Sequence, residues 1–243
     1  MQHLAAAGIG GYAVSREGRI PVPAGWRALT RQAVLDDGAL HGAATPRLDW
    51  VIHLEVKQHV DAPTAADIAD FEKVNVEGTR RWLEWCAQAG VARFMLFSTI
   101  KAAGDSLQPQ DEETTTLPTT VYGKSKRRGE DELRQWAAGD TRRQGVILRP
   151  AVIYGPGNRA NIYSMVKGID RGRFLLVGKN DNVKSLVSIA NAVAAAGFLL
   201  GRSGTGCTLY NLVDAQSYSV REIAEMTSEA LGRPKSKSLP PFL

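Results

Sequence analysis

The stretch Tyr122-Gly-Lys-Ser-Lys126 places a tyrosine and a lysine four residues apart, so on a helix they share one face. A free phenol has a pKa of about 10, and a tyrosine that works as a base at neutral pH needs a much lower pKa. A neighbouring ammonium is the simplest source of that change. The pattern predicts that Lys126 lowers the pKa of Tyr122, on a helix that runs towards Trp136. The alternative is a solvated lysine beside a half-buried tyrosine, and the flanking segments decide between the two.

Three apolar runs around this helix are typical of strands in a parallel sheet, which is buried on both faces. They cover residues 49–54, 94–97 and 144–149. Ser98 and Thr99 follow the second run directly. We therefore expect two hydroxyl groups at the C-terminal end of a central strand.

The remaining elements alternate between strands and helices. Strands are predicted at 12–15, 26–29, 174–177, 183–187 and 208–212, and helices at 64–90, 161–171, 189–200 and 220–231. This alternation predicts an α/β fold with a doubly wound parallel sheet. Residues 1–150 form the dinucleotide-binding domain in this interpretation, and residues 151–243 form a smaller substrate lobe interleaved with the sheet.

Five segments occur in an order and spacing that resemble the extended short-chain dehydrogenase/reductase family. They are Trp50-Val-Ile-His-Leu54, Asn75-Val-Glu-Gly-Thr79, Phe94 to Thr99, the Tyr122 stretch, and Leu148-Arg-Pro-Ala-Val-Ile-Tyr-Gly-Pro-Gly157. The resemblance is to the branch of nucleotide-sugar epimerases, dehydratases and 4-keto reductases, such as UDP-glucose 4-epimerase. It implies a Rossmann-type fold and NAD or NADP as the cofactor.

The resemblance also implies catalytic roles for three residues. Tyr122 takes or returns the proton of a sugar hydroxyl while a hydride passes between that carbon and the nicotinamide. Lys126 binds the nicotinamide ribose in addition to its effect on Tyr122, and Thr99 hydrogen-bonds the reacting oxygen. Ser98 is the second choice for that hydroxyl.

Cofactor-binding positions follow from the same resemblance: Arg16, His53, Leu54, Glu55, Asn75, Ser98, Tyr122, Lys126 and Pro150. Arg16 suits the 2′-phosphate of NADP, although a solvated arginine explains it equally well. Glu55 sets a carboxylate near the cofactor phosphates or ribose unless Lys57 pairs with it. Asn75 is expected to brace the central strand and the active-site loop, and His53 is expected to be structural.

Substrate-binding positions implied by the resemblance are Thr99, Lys101, Asn161 and Lys184. Lys184 stands where the family often has an arginine that grips the nucleotide diphosphate, so the charge is kept and the bidentate fork is lost. Thr99 is followed by Ile100-Lys101 and not by an acidic pair, which argues against dehydration. Two reactions remain: epimerisation and 4-keto reduction. The implied substrate is a UDP-hexose or UDP-N-acetylhexosamine, as in polysaccharide biosynthesis.

The first residues depart from the family pattern. Leu4 to Gly8 is typical of the last turn of a helix with a glycine stop, and Gly8, Gly10 and Gly11 are predicted to form a loop. A first strand and a Gly-x-x-Gly-x-x-Gly turn, which would receive the cofactor pyrophosphate, do not occur in the printed sequence. We therefore expect an N-terminally incomplete fold that binds NAD(P) weakly. The alternative function is a non-catalytic relative that binds a sugar nucleotide or a protein partner.

Composition excludes several other classes. The chain has 243 residues and a net charge of +5, with basic residues scattered among acidic ones, so no nucleic-acid partner is expected. Its two cysteines, Cys86 and Cys207, lack the spacing of a metal site or disulfide framework. No apolar run reaches the ~20 residues of a membrane span. We expect a cytoplasmic protein without a bound metal, which can form a homodimer.

Overall fold

A computed structural model of the chain describes residues 1–41, 46–58, 60–106, 108–114, 116–159 and 161–240. The chain forms two compact units. The first comprises Met1–Arg149 and Ala196–Asn211, and the second comprises Pro150–Ala195 and Leu212–Leu243. The chain thus leaves the first unit after Arg149 and returns to it for one later segment.

Short helices and strands alternate through the chain. Up to Pro150 the elements are α1 (Gln2–Ala6), β1 (Gly11–Ser15), β2 (Trp26–Thr30), α2 (Arg31–Leu35), β3 (Val51–His53), α3 (Ala65–Phe71), α4 (Gly78–Ala89), β4 (Arg93–Phe97), α5 (Val121–Ala138) and β5 (Gln144–Pro150). A π-helical turn (Glu72–Glu77) joins α3 to α4, and a 3₁₀ turn (Ile100–Ala102) follows Thr99.

Most of the strands after Pro150 have only two or three residues. The elements of this part are β6 (Val152–Tyr154), α6 (Asn161–Asp170), β7 (Leu175–Val177), β8 (Val183–Lys184), β9 (Leu186–Ser188), α7 (Ile189–Leu200), β10 (Gly206–Leu212), β11 (Tyr218–Ser219), α8 (Val220–Ala230) and β12 (Lys237–Leu239). The single strand predicted at 183–187 is therefore two short strands.

The main sheet has the order β10-β5-β4-β3. Strands β3, β4 and β5 are parallel, with Val51 opposite Phe94 and Met95 opposite Val146. This agrees with the predicted α/β fold built on a parallel sheet. Strands β1 and β2 pair in parallel as a separate two-stranded sheet.

The core of the first unit lies between the main sheet and the flanking helices. All seven residues of β5 are buried, as a central parallel strand requires. Leu133 and Trp136 of α5 pack into the same apolar cluster as Phe94 and Ile147. Burying each such side chain contributes roughly 1.5–3 kcal/mol, so this packing fixes α5 against the ends of β4 and β5.

The predicted helix at 64–90 is interrupted in its middle. Thr64 and Asp67 form a capping box at its start, and Gly90, with φ 71°, ends α4. Between them the chain widens into the π-helical turn that contains Asn75. The periodicity of apolar residues indicates the helical stretch but does not show this widening, which accompanies the inward-facing Asn75.

The second unit has its own apolar cluster, in which Met165 and Ile169 of α6 pack with Ile223 and Ala224 of α8. Helix α8 begins at Val220, as predicted from the sequence, and its start is a capping box formed by Ser219 and Glu222. Within the described ranges, no helix of either unit is long and apolar enough to cross a membrane.

Candidate functional site

Two glycines let α5 approach its neighbours closely. A Cβ atom on Gly123 would lie 2.5 Å from the carbonyl oxygen of Lys101, and one on Gly129 would lie 2.7 Å from that of Asn75. Neither space admits a side chain. The helix therefore packs directly against the turn after Thr99 and against the π-helical turn.

The inner face of α5 contacts the end of β4 at successive turns. The Tyr122 hydroxyl lies close to the Thr99 side chain, which favours its phenolate. The Lys126 ammonium donates to the carbonyl oxygen of Phe97 at 2.8 Å. The predicted catalytic residues Thr99, Tyr122 and Lys126 thus lie together at the C-terminal end of β4, where a parallel sheet commonly binds ligands.

Burial shifts the pKa values of Tyr122 and Lys126. It raises the pKa of Tyr122, and the hydrogen bond to Thr99 opposes that rise. Burial also lowers the pKa of Lys126 to about 8, and the Glu130 carboxylate opposes that fall. The lowering of the Tyr122 pKa by Lys126 stays a prediction, because burial raises that pKa and the ammonium donates to the Phe97 carbonyl.

Asn75 connects three segments around the start of α5. Its Oδ1 accepts from the Lys57 amide at 2.9 Å, and its Nδ2 donates to the Lys57 carbonyl at 3.2 Å and to Ser125 Oγ at 2.9 Å. Ser125 Oγ in turn donates to the Tyr122 carbonyl at 2.9 Å. The side chain therefore ties the loop after β3 to the turn of α5 that carries Tyr122.

Two predicted cofactor residues have their side chains in the core. Ser98 Oγ is buried and donates to Glu130 Oε1 at 2.6 Å. The His53 ring lies 5.7 Å from the Phe94 ring, between centroids, and is buried. Burial, followed by the charge of Lys126, lowers the pKa of His53 to about 3, so the ring is neutral. Among described residues, His53 Nε2 has no hydrogen-bond partner.

The next two predicted cofactor positions differ in exposure. Leu54 is 62% exposed, directly after β3. Pro150 is buried and ends β5. The structure therefore gives the Leu54 side chain access to a ligand from solvent, while Pro150 can act only through its position at the end of the strand.

Arg16 and Glu55 line a polar cleft of about 520 Å³ in the first unit. Arg31 also lines it, and its guanidinium contacts the Glu55 carboxylate at 2.7 Å. Lys57 does not pair with Glu55, since its ammonium contacts Asp67 at 2.9 Å and a second aspartate of α3 at 3.2 Å. The partner of Glu55 thus comes from the start of α2, because β2 and β3 end at the same cleft.

The described residues fit one half of a dinucleotide better than the other. Thr99, Tyr122 and Lys126 supply the hydroxyls and the cation that suit a nicotinamide riboside and a reacting carbinol. The glycines near the start do not supply a phosphate cradle: Gly8 follows the C-terminal end of α1, where the helix dipole is negative, and Gly11 opens β1. Their prediction as a loop thus holds for Gly8 and Gly10.

The predicted substrate residues other than Thr99 are exposed. Lys101 lies in the 3₁₀ turn and pairs with Asp105 at 2.7 Å. Asn161 is the first residue of α6, and Lys184 ends β8, both in the second unit. Their side chains have the solvent access that a ligand needs.

Sequence reasoning missed three buried polar residues beside the site: Ser125, Glu130 and Arg149. The available signal was the spacing of four residues that continues from Tyr122 through Lys126 to Glu130. In the part of the chain that the structure describes, no group of His, Cys, Asp and Glu side chains could hold a metal ion.

Comparison with known proteins identifies the family. The NAD dependent epimerase/dehydratase family matches residues 3–212. The chain belongs to this family. Among its relatives in the family, the chain is 32% identical over 187 residues to an N-acetyl-alpha-D-glucosaminyl-diphospho-ditrans,octacis-undecaprenol 4-epimerase of Escherichia coli O157:H7, covering 76% of the chain and 55% of the relative. It is 30% identical over 189 residues to a UDP-glucose 4-epimerase of Vibrio cholerae, covering 76% and 57%.

A solved structure shows the same fold over nearly the whole of this chain. MoeE5 in complex with UDP-glucose and NAD superposes with a TM-score of 0.82 and 25% identity, covering 98% of this chain and 80% of MoeE5. The chain spans little more than half the length of the two curated relatives, 55% and 57%.

Proposed function

We propose that this chain is an NAD(P)-dependent nucleotide-sugar 4-epimerase or 4-keto reductase in which Tyr122 carries the proton. The observation that carries the proposal is the placement of Tyr122 and the Lys126 ammonium on one face of α5, beside Thr99 at the C-terminal end of β4. Two neighbouring hydroxyls can pass a proton to or from a sugar oxygen that binds both of them.

Each residue has a distinct task in the proposed reaction. The nicotinamide, when bound, takes up or returns a hydride at the sugar carbon. Tyr122 holds or releases the proton at the oxygen on that carbon, and Thr99 orients the same oxygen. Lys126 binds the ribose hydroxyls, and on leaving the Phe97 carbonyl it favours the phenolate of Tyr122 by its charge.

The substrate class is proposed from the relatives and from charge. The two relatives act on sugars attached to diphosphates, one bearing uridine and the other bearing undecaprenol. A nucleotide diphosphate suits the exposed cation of Lys184 and the amide of Asn161 in the second unit. A UDP-hexose or UDP-N-acetylhexosamine is therefore the proposed substrate.

Turnover assays test this function. The purified chain is incubated with NAD and either UDP-glucose, UDP-N-acetylglucosamine or N-acetylglucosaminyl-diphospho-undecaprenol, and the C4 epimers are separated. Tyr122→Phe should lower turnover by ~10²–10⁴ while sugar-nucleotide binding is kept, because only the proton carrier is lost. Full turnover in this variant would assign the proton transfer to another residue.

A specific observation favours the second candidate, a non-catalytic relative that binds a sugar nucleotide or a protein partner. The Arg31–Glu55 ion pair occupies the polar cleft, and the glycines near the start follow a helix C-terminus. Both features weaken a dinucleotide site. Calorimetry separates the two candidates: sugar-nucleotide binding without NADH or NADPH binding supports the non-catalytic function.

We also propose a cytoplasmic location and a homodimer. Both cysteines of the chain are free thiols, as is usual in a reducing compartment. The dimer rests on the family resemblance, and light scattering of the purified chain tests it.

A further inference from the structure

The face of α5 that carries Tyr122 and Lys126 continues to a third buried group. Glu130 lies one further turn along the helix and is fully buried. Its Oε1 accepts from Ser98 Oγ at 2.6 Å. The three side chains therefore lie against three consecutive residues at the end of β4: Tyr122 against Thr99, Lys126 against Phe97 and Glu130 against Ser98.

The Glu130 carboxylate is itself fixed from the other side. Arg149 of β5 donates to both of its oxygens, Nε at 2.8 Å and Nη2 at 2.6 Å. The Ser98 amide also donates to the Leu148 carbonyl at 2.7 Å. The Ser98 main chain is thus bonded to β5, and its side chain is bonded to the Glu130 carboxylate, which Arg149 of β5 orients.

We propose that Glu130 is a positioning residue for the proposed reaction: through Ser98 it holds the peptide that carries Thr99, and so keeps the Thr99 hydroxyl on Tyr122. The inference rests on the proposed function for its catalytic consequence. Its structural content is separate, because the bonds of Ser98, Glu130 and Arg149 can be tested without turnover.

The three hydrogen bonds to residue 130 explain why an ionised carboxylate is needed there. A carboxylate is an acceptor only, so it can receive Ser98 and the two Arg149 nitrogens at once. A bond to an ionised acceptor is shorter and stronger than one between neutral groups, and burial strengthens it further. Ser98 Oγ consequently has one defined direction, and Thr99, its neighbour, is oriented with it.

Ser98→Ala is the first test, because it removes the link and leaves the Glu130–Arg149 pair intact. Ser228→Ala is the matched control, since Ser228 is equally buried and its hydroxyl bonds only the Ala224 carbonyl of its own helix, at 2.9 Å. The Tyr122 titration is followed by NMR of tyrosine labelled at Cζ, with Tyr122→Phe to assign its signal.

The expected result is a Tyr122 midpoint that rises by about half a pH unit or more in Ser98→Ala, because the hydrogen bond from Thr99 no longer favours the phenolate. The charged groups near this end of α5 are Lys126 on the helix itself, the Lys101–Asp105 pair in the adjoining turn, and the aspartates of α3 that bind Lys57. These are the same in the variant and in the control. An unchanged midpoint in Ser98→Ala overturns the proposal.

The second test asks whether Glu130 acts through Ser98. Glu130→Ala is combined with Arg149→Met, so that the buried Arg149 guanidinium is not left without its carboxylate partner. This double variant should raise the Tyr122 midpoint as Ser98→Ala does, and adding Ser98→Ala to it should cause no further change. An additive effect would show that Glu130 and Ser98 act independently, and would contradict the inference.

Kinetics then connect the geometry to the reaction. In Ser98→Ala, kcat should fall about tenfold or more with KM unchanged, whereas Ser228→Ala should keep both. Absence of turnover in the unmodified chain refutes the proposed function but leaves the NMR test of positioning valid. An unchanged kcat beside a shifted Tyr122 midpoint contradicts the catalytic consequence.

Discussion

The ammonium of Lys126 is bound to the carbonyl oxygen of Phe97, 2.8 Å away, inside the first unit. This bond orients a cation that burial otherwise disfavours. Lys126 is 2% exposed, and its pKa is lowered to about 8. The residue proposed to assist Tyr122 is therefore also a residue that costs the fold stability, which leads to the first prediction.

Lys126→Met should stabilise the first unit by roughly 1–2 kcal/mol at pH 7 and abolish turnover, because it removes a buried charge together with one hydrogen bond. The unfolded chain keeps this proton up to a pKa of 10.5, whereas the folded protein releases it near 8, so stability rises between these pH values. The advantage of the variant should accordingly shrink at pH 9.5.

Urea unfolding followed by tryptophan fluorescence measures this difference, because all five tryptophans lie before residue 150, in the first unit. Lys124→Met is the matched control, since Lys124 lies on the same helix and is exposed. Equal stabilisation by the two substitutions would show that burial of Lys126 is not the cause.

His53→Leu should reduce acid sensitivity. The folded protein holds this ring neutral down to a pKa of about 3, whereas the unfolded chain binds a proton below 6.5, so stability is lost as pH falls through that window. Between pH 7.5 and 5.0 this loss is about 2 kcal/mol and should be absent in the variant. Urea titrations at both pH values measure it, with His41→Leu as an exposed control; a loss of the same size in His53→Leu would place its origin elsewhere.

Gly129→Ala should destabilise the first unit by about 1–3 kcal/mol and lower turnover, because the added Cβ would lie 2.7 Å from the Asn75 carbonyl oxygen. Gly139→Ala at the C-cap of the same helix is the control, since its Cβ would meet nothing closer than the Arg143 guanidinium at 3.3 Å. Thermal unfolding compares the two. Equal stability of both variants would mean that α5 moves away from the π-helical turn without penalty.

Glu55→Gln should tighten NADPH binding about two- to fivefold, because it frees Arg31 in the cleft from its carboxylate partner. Glu77→Gln changes the charge of the same cleft without touching this ion pair and serves as the control. Fluorescence titration of NADH and NADPH gives the dissociation constants. Equal gains in the two variants would indicate a general charge effect in place of a specific release of Arg31.

Lys184→Ala should weaken UDP-sugar binding roughly tenfold and leave NADH binding unchanged, because it removes a countercharge for the diphosphate. Lys179→Ala, a second exposed lysine of the same unit, controls for net charge. Calorimetry with UDP and UDP-glucose measures both. An unchanged dissociation constant would place the diphosphate away from β8.

Hydrophobic patterning predicted the strands around the site because parallel strands are buried along their length and mostly apolar, as β5 is from Val146 to Leu148. It also placed Tyr122 and Lys126 on one helix face, since that relation is local. Ion pairs between residues that are distant in the sequence could not be predicted. Arg31 and Glu55 are 24 residues apart and meet because β2 and β3 end at one cleft. Lys57, two residues from Glu55, instead binds α3.

The burial of Glu130 could not be predicted from the sequence either. A glutamate on a helix is ordinarily solvated, and its burial becomes evident only once Arg149 is known to face it across 2.6 Å. Likewise, the sequence indicates that Ser98 and Thr99 lie together but not which hydroxyl the core uses. The structure separates them: the Ser98 hydroxyl donates to Glu130, and the Thr99 side chain lies close to Tyr122.

The division of the strands into two sheets has a consequence for how the amide protons of the first unit exchange with heavy water. Strand β4 is paired on both sides, with β3 and β5, so its amides should exchange only when the whole unit opens. Strands β1 and β2 are paired only with each other within the described ranges, over five residue pairs. Their amides should exchange in minutes through local opening while those of Met95 and Leu96 remain protonated.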